Sequence, residues 1–303
     1  MRIGDFITKI CYHESRNITG DYKEAAMTDM KIIADSSCDI SPEEKERLEV
    51  ALVPLTLTLG EQEFVDDDAL DLPDFMARMK AYQGKVSSAC PSPGAFQEAF
   101  QAAGSSICIT ISEKLSGTYQ SALLGKELAE KEGARAEVVD SKSASAGEVL
   151  LVYKIREWME ESLPYQEIAE RARAFADTMK TYFVLDSVEN LVKNGRMNKV
   201  VGTLVQVLGV KPIMGADGEG NIALFGHARG RRQILEKMAG LVKESGKETE
   251  GELLVIAHNN NWPLARELEG LIRGAYRFRD VLVVQTRGIS SMYANDKGLV
   301  MAF

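Results

Sequence analysis

Short apolar runs alternate with stretches of helical period along this chain, and the alternation becomes regular from residue 30. The runs at 31–35, 107–111 and 137–140 are only four or five residues long and carry Ile and Val, which predicts buried strands. Between them the helical patterns carry start signals. Ser41 precedes Pro42 with Glu44 placed to close a capping box, Asp71-Leu72-Pro73 opens a helix to about residue 82, and Pro93 begins another that runs to 103. Residues 50–59 read as β-prone, 60–62 as a turn, 63–65 as the returning arm of a small hairpin, and the GKVSSACPSPG segment at 84–94 as a loop. A helix starts near Gly117, a long one spans about 145–161, and another begins near Pro164.

The second half repeats the alternation with different spacing. Strands are predicted at 182–186, 212–214, 222–226, 253–258, 281–285 and 299–303. Helices are predicted for SVENLVKNGRM and at 200–208, 231–243 and 263–275, and the ADGEG segment reads as a Gly-rich turn between two strands. Strand–helix alternation of this kind predicts an α/β chain whose N-terminal part holds a parallel sheet covered by helices. Residues 1–29, with weak periodicity, read as an extension, 30–180 as a first domain and 181–303 as a second; no solenoid repeat or low-complexity tract interrupts them.

Composition narrows the function. The 303 residues are 45% hydrophobic and 27% charged, no segment reaches about 18 consecutive apolar residues, and residues 1–29 have no apolar core of a signal peptide. Cys11, Cys38, Cys90 and Cys108 form no CxxC pair. A cytoplasmic chain with reduced thiols and no membrane span is expected. The formal charge of -9 argues against a nucleic-acid partner, which requires clustered Lys and Arg on phosphates.

Candidate chemistry centres on Leu115-Ser116-Gly117-Thr118, a hydroxyl-rich turn between a buried strand and a helix. A nucleophile elbow needs Gly two residues before the Ser, and Lys114 stands there. S-x-x-K is absent, and His13, His227 and His258 sit in no triad context. No phosphate loop exists, GADGEGN breaks the dinucleotide spacing, Asp66-Asp67-Asp68 reads as a solvated turn, and no HExxH or Cys/His set suggests zinc. The residues fit recognition of a small anion by neutral donors. A helix starting near Gly117 directs free amides into the turn, Ser116 adds a hydroxyl, and Gly117 permits close approach. Ser116 as a simple N-cap fits equally, and the roles can coexist. A second hydroxyl loop, with Ser87, Ser88 and Ser92, also precedes a helix; Ser92 before Pro93 fits an N-cap.

The ordered blocks KIIADSSCDIS, VPLTLTLG, Ser88-Ala89-Cys90-Pro91-Ser92-Pro93, ITISEKLSGTYQSA, VVDSKSASAGEVLLV, VENLVKNGRM with LGVKPIM, and ARGRR resemble the DegV family of bacterial fatty-acid-binding proteins over about residues 30–303. The resemblance implies a two-domain α/β fold, an N-terminal Rossmann-like parallel-sheet domain and a C-terminal α/β domain, with the ligand at their junction. It implies no catalysis and no cofactor. A long-chain fatty acid lies in a buried tunnel and is presented to a separate ATP-dependent fatty acid kinase that serves phospholipid synthesis. The family's carboxylate-binding hydroxyl falls on Ser116, with the Gly117 amide beside it, and the Thr of its T-S-Q-P-S block falls on Ser88. Ala89 and Cys90 depart from that block. Arg196 of NGRM and Arg229 of ARGRR match a positive face for the kinase or the head group. The family usually closes on a His-containing segment; counted back from the C-terminus, Tyr293 takes that place, a neutral donor where an imidazole can carry charge.

Burying roughly 14 methylenes at ~0.8 kcal/mol each would supply about 11 kcal/mol before ordering costs, so the tail gives affinity and the hydroxyls give register. Val201, Leu204, Val205 and Leu208 fit either the tail wall or an ordinary helix core. His258 fits a strand-end cap or an approach to the site, and HARGRR fits a docking patch or a solvated helix start. A serine-dependent lipid hydrolase and a regulatory binder of another apolar carboxylate stand as alternatives.

Overall fold

A computed structural model describes residues 30–197 and 209–303. Strands β1 (Met30–Asp35), β2 (Val50–Val53), β6 (Ser105–Thr110) and β7 (Arg135–Asp140) form a parallel sheet in the order β2-β1-β6-β7. Their near-continuous apolar runs follow from burial on both faces. Helices α3 (Pro93–Ala103) and α4 (Thr118–Glu130) cover one face, with Phe96, Phe100 and Ala122 packed on Ile33 and Cys108. The other face receives α5 (Ala146–Glu160) and α6 (Tyr165–Thr178).

Helix α5 explains how the halves join. Val149, Leu150, Leu151, Val152 and Ile155 are buried all round it, as a helix between two apolar layers requires. The same core takes in Val255, Ala257, Val300 and Ala302 from a second sheet. That sheet has six strands, ordered β10-β9-β8-β13-β11-β12, namely β8 (Thr181–Val184), β9 (Val210–Ala216), β10 (Ile222–Arg229), β11 (Leu253–His258), β12 (Asp280–Gln285) and β13 (Leu299–Ala302). Only the β11–β12 pair is parallel. Helices α8 (Gly230–Glu244) and α9 (Trp262–Ala275) cover its outer face, and α7 (Glu189–Lys193) is short.

The structure departs from the sequence reading at several places. Residues 50–59 divide at Pro54, whose ring supplies no amide, so β2 stays in the parallel sheet while β3 (Thr56–Leu59) starts a small antiparallel one. The expected loop at 84–94 contains β5 (Val86–Ala89), which pairs with β3, opposite β4 (Gln62–Val65). With α2 (Leu72–Ala81) this small sheet builds a satellite core. A further helix, α10 (Gly288–Ala294), has no strong sequence signature. Glu44 does not close a capping box: Ser41 caps α1 (Pro42–Arg47), but the Glu44 carboxylate accepts from Arg47 and Tyr153. The acidic run is a solvated turn only in part: Asp67 and Asp68 are exposed, Asp68 accepting from Lys45 and Arg287, whereas Asp66 is buried against α10. The helix expected at 200–208 and residues 1–29 lie outside the described residues.

Close packing of α3 on α4 depends on Gly125. A Cβ there would stand 2.6 Å from Phe96 Cβ and 2.7 Å from the Pro93 carbonyl oxygen. Gly125→Ala should therefore destabilise the protein by about 1–3 kcal/mol despite alanine's better helix propensity, read as a lower urea midpoint at unchanged slope.

Candidate functional site: an apolar cavity with a hydroxyl end

In the parallel sheet β1 connects outward to β2 and then the chain crosses to β6 on the opposite side, so a crevice opens at the C-terminal ends of β1 and β6. A cavity lies there. Ser37 beyond β1, Ile111 beyond β6 and the 142–145 loop beyond β7 form its floor. The inner face of the six-stranded sheet closes it from above through Thr181, Phe183 and Val300, while Leu55, Ser88 and α10 close the side. About 920 Å³ there is free of protein atoms, part of it open to solvent. Leu55, Ile111, Leu115, Phe183, Leu185 and Val300 make most of the wall apolar.

Four of the residues singled out in the sequence line this cavity: Ser88, Ser116, Arg196 and Tyr293. Ser88 is opposite Leu57 in the β3–β5 register, and Leu57 packs with Ile289 and Met292 of α10, so Ser88 is on the face that meets that helix. Its Oγ is 3.2 Å from the Tyr293 hydroxyl, across 205 residues of chain. Ser116 Oγ lies 2.8 Å from Thr118 Oγ1 and accepts from the Thr118 amide at 3.3 Å. Arg196 braces the same turn: its Nε donates to the Leu115 carbonyl at 3.1 Å and Nη1 to Asn194 O at 2.6 Å. Asn194 in turn donates to Val86 O at 3.0 Å, tying the NGRM turn to the strand that bears Ser88.

Other expectations resolve differently. Gly117, not Ser116, occupies the N-cap position of α4, and it does not line the cavity; a Cβ there would stand 3.5 Å from Cys90 Sγ. Arg229 ends β10, at the opposite end from the lining residue Ile222, and its amide donates to Gln233. Ser92 caps α3 through the Ala95 amide, and Ser87 is not among the lining residues. His258 is buried at the end of β11, where its Nδ1 accepts from the Asn261 amide and its ring meets Trp262 edge-on; burial lowers its pKa. It therefore caps a strand end. The HARGRR cluster is split between β10 and α8, with Arg231 paired to Glu267 and Arg232 to Glu236. Val201, Leu204, Val205 and Leu208 lie outside the described residues.

A second polar group at the cavity was not assigned from sequence. Ser37, Ser145 and Ser290 line it, and carboxyls stand behind them. Ser37 donates to Glu148, Ser145 to Asp39, and the amides of Ser37 and Ile111 to Asp35. Burial pushes Asp35 and Asp39 each up to about 7 and Glu148 well above the usual range, where the nearby Asp35 charge adds to the effect. The signal was present in DSSCD and DSKSASAGE, which run from the last residues of β1 and β7 into the following loops and, for the second, into the first turn of α5.

Chemically the arrangement suits binding. Among the described residues no imidazole lines the cavity, and the Ser116 hydroxyl hydrogen-bonds only to Thr118, so no general base addresses it. No group of three or more His, Cys, Asp or Glu among these residues could hold a metal ion, and no helix is long and apolar enough to cross a membrane.

A two-domain α/β protein with a largely apolar cavity at the sheet switch point and hydroxyl groups in its wall is the class defined by these features. The profile of a family described as "Uncharacterised protein, DegV family" matches residues 29–299. A DegV domain-containing protein of Streptococcus pneumoniae is 35% identical over 277 residues, covering 90% of this chain and 98% of that protein. A DegV family protein from Ruminococcus gnavus, solved with vaccenic acid, superposes with a TM-score of 0.85 at 31% identity, covering 91% and 99% of the two chains. The Streptococcus pneumoniae Fatty Acid Kinase (Fak) B3 protein, loaded with linoleic acid, gives 0.84 at 33% identity and 90% and 98% coverage. The chain belongs to the DegV family.

Proposed function

We propose that this protein encloses one long-chain fatty acid, with the tail in the apolar cavity and the carboxylate at Ser88, Ser116 and Tyr293, and presents it to a separate ATP-dependent fatty acid kinase. The observation that carries the reading is that Ser88 and Tyr293, 205 residues apart, are hydrogen-bonded in the wall of a largely apolar cavity that Ser116 also lines. Ser88 and Tyr293 share one hydrogen bond in which either can donate. An arriving carboxylate would accept a hydrogen bond from each hydroxyl, so both donors are satisfied by one ligand group. Arg196 keeps the Ser116 turn in place through the Leu115 carbonyl. Neutral donors avoid burying an unpaired cation whenever the site is empty.

Two solved relatives hold vaccenic and linoleic acid, which supports the ligand class, and the second is described as a fatty acid kinase component, which supports the partner. Cys38, Cys90 and Cys108 are free thiols, which supports a reducing, cytoplasmic setting. Activation of the acid is assigned to the kinase.

Mass spectrometry of lipid extracted from the purified protein should recover a fatty acid in near-stoichiometric amount. Protein that yields none and takes up none from solution would sink the reading. Ser116→Ala should weaken fatty-acid binding by about 1–3 kcal/mol, and unchanged affinity would reduce Ser116 to a turn residue.

A further inference from the structure

The helix that carries Tyr293 begins without a cap of its own. Arg287 occupies the N-cap position in extended conformation, and its side chain makes no capping bond. The first amides donate to buried carboxylates from remote segments: Arg287 N to Asp39 Oδ1 at 2.6 Å, Gly288 N to Asp66 Oδ1 at 2.9 Å and Ile289 N to Asp66 Oδ2 at 2.9 Å. Asp66 is 1% exposed and directs both carboxylate oxygens at the helix. Its own amide donates to Leu55 O at 2.9 Å, beside the small sheet that contains Ser88. Gly288 supplies the room for this approach, since a Cβ would stand 2.5 Å from Asp66 Oδ1 and 2.6 Å from Leu70 Cδ2.

We propose that Asp66 is a positioning residue for the head-group site: its carboxylate locks α10 onto the small sheet so that Tyr293 and Ser88 present their hydroxyls together. Gly288 is the gap that permits the lock. This rests on the fatty-acid reading above. Asp66 does not line the cavity, whereas Ile289, Ser290, Tyr293 and Ala294 of the helix it holds all do. An acid is required because one side chain must accept from two successive amides; asparagine keeps one acceptor oxygen and would leave the other amide facing a donor.

The test is a double-mutant cycle on oleate affinity with Asp66→Asn, Tyr293→Phe and the combination, joined to amide hydrogen exchange without ligand. Asp66→Asn should lower oleate affinity roughly tenfold, with little further loss once Tyr293 is Phe. Exchange should accelerate across 288–294 while β11 stays protected. Gly288→Ala, which leaves Asp66 in place but fills the gap, should reproduce both effects and carries the test if Asp66→Asn does not fold. An undiminished loss in the Tyr293→Phe background, or unchanged exchange in α10, overturns the proposal and leaves Asp66 a general fold residue. If the unaltered protein binds no oleate, the fatty-acid reading fails, and the exchange measurement still decides whether Asp66 holds α10.

Discussion

Val300→Trp should abolish fatty-acid binding while the protein stays folded. Val300 stands in β13, in register with Ala257 on one side and Phe183 on the other, at the centre of the six-stranded sheet. Strand alternation sends its neighbours Leu299 and Met301 into the outer core and Val300 toward the cavity. The cavity gives an indole room on one side of Val300, so the overpacking cost against the core, about 1–3 kcal/mol where no space exists, is reduced. The ligand bears the loss instead. Excluding about five methylenes at ~0.8 kcal/mol each removes about 4 kcal/mol, a drop of roughly a thousandfold in affinity. Titration with oleate, alongside a urea unfolding curve, checks both halves of the expectation. Near-native affinity in a folded variant would show that the tail runs elsewhere.

Asp39→Asn should make the protein more stable at neutral and alkaline pH and flatten its pH dependence. Asp39 is fully buried, and burial pushes its carboxyl up to about 7 from an ordinary 3.8, against opposing hydrogen bonds from the Arg287 amide and Ser145. A carboxyl whose folded pKa is raised favours the folded state while it stays protonated. That stability is fully present below the unfolded pKa near 3.8, falls as pH rises, and is gone once pH passes about 7. In the unaltered protein stability should therefore decline between about pH 4 and pH 7, with Asp35, raised to about 7 by the same burial, acting in the same direction. Asparagine does not titrate. Its oxygen can still accept from the Arg287 amide, and the Ser145 hydroxyl can rotate to accept from the new NH₂. The gain at pH 8 should approach a few kcal/mol, on the order of 4 at most from a shift of this size, and should shrink toward zero near pH 4. Unfolding midpoints at three pH values measure it. Curves for the two proteins that run parallel across the range would show that Asp39 carries no proton of consequence.

These acids also show why part of the site escaped a reading of the sequence. Asp35 and Asp39 flank a strand end, where acids are ordinarily solvated turn residues, and only the arrival of α5 with Glu148 and of α10 with its free amides buries them. The same holds for Asp66. In sequence it is the first of three acids after a hairpin; in the fold it is the N-terminal anchor of a helix more than 200 residues away. That helix, GISSMYA, carries a Gly, two Ser and a β-branched residue, so local propensity argues against it and tertiary hydrogen bonds hold it in place.

What the sequence by itself determined is local and periodic. The parallel strands are legible because burial on both faces demands unbroken apolar runs, and α1, α2 and α3 are legible because Ser41, Asp71 and Ser92 each cap a following amide within three residues. The motif order also marked Ser88, Ser116, Arg196 and Tyr293 one by one. Only the tertiary structure decided that these four share a cavity, that Val86–Ala89 is a strand, and that Gly117 and Arg229 stand outside the lining. The reason is physical: Ser88 and Tyr293 meet through the pairing of β5 with β3 and the docking of α10 on that sheet, contacts between distant segments that leave no periodicity in the chain.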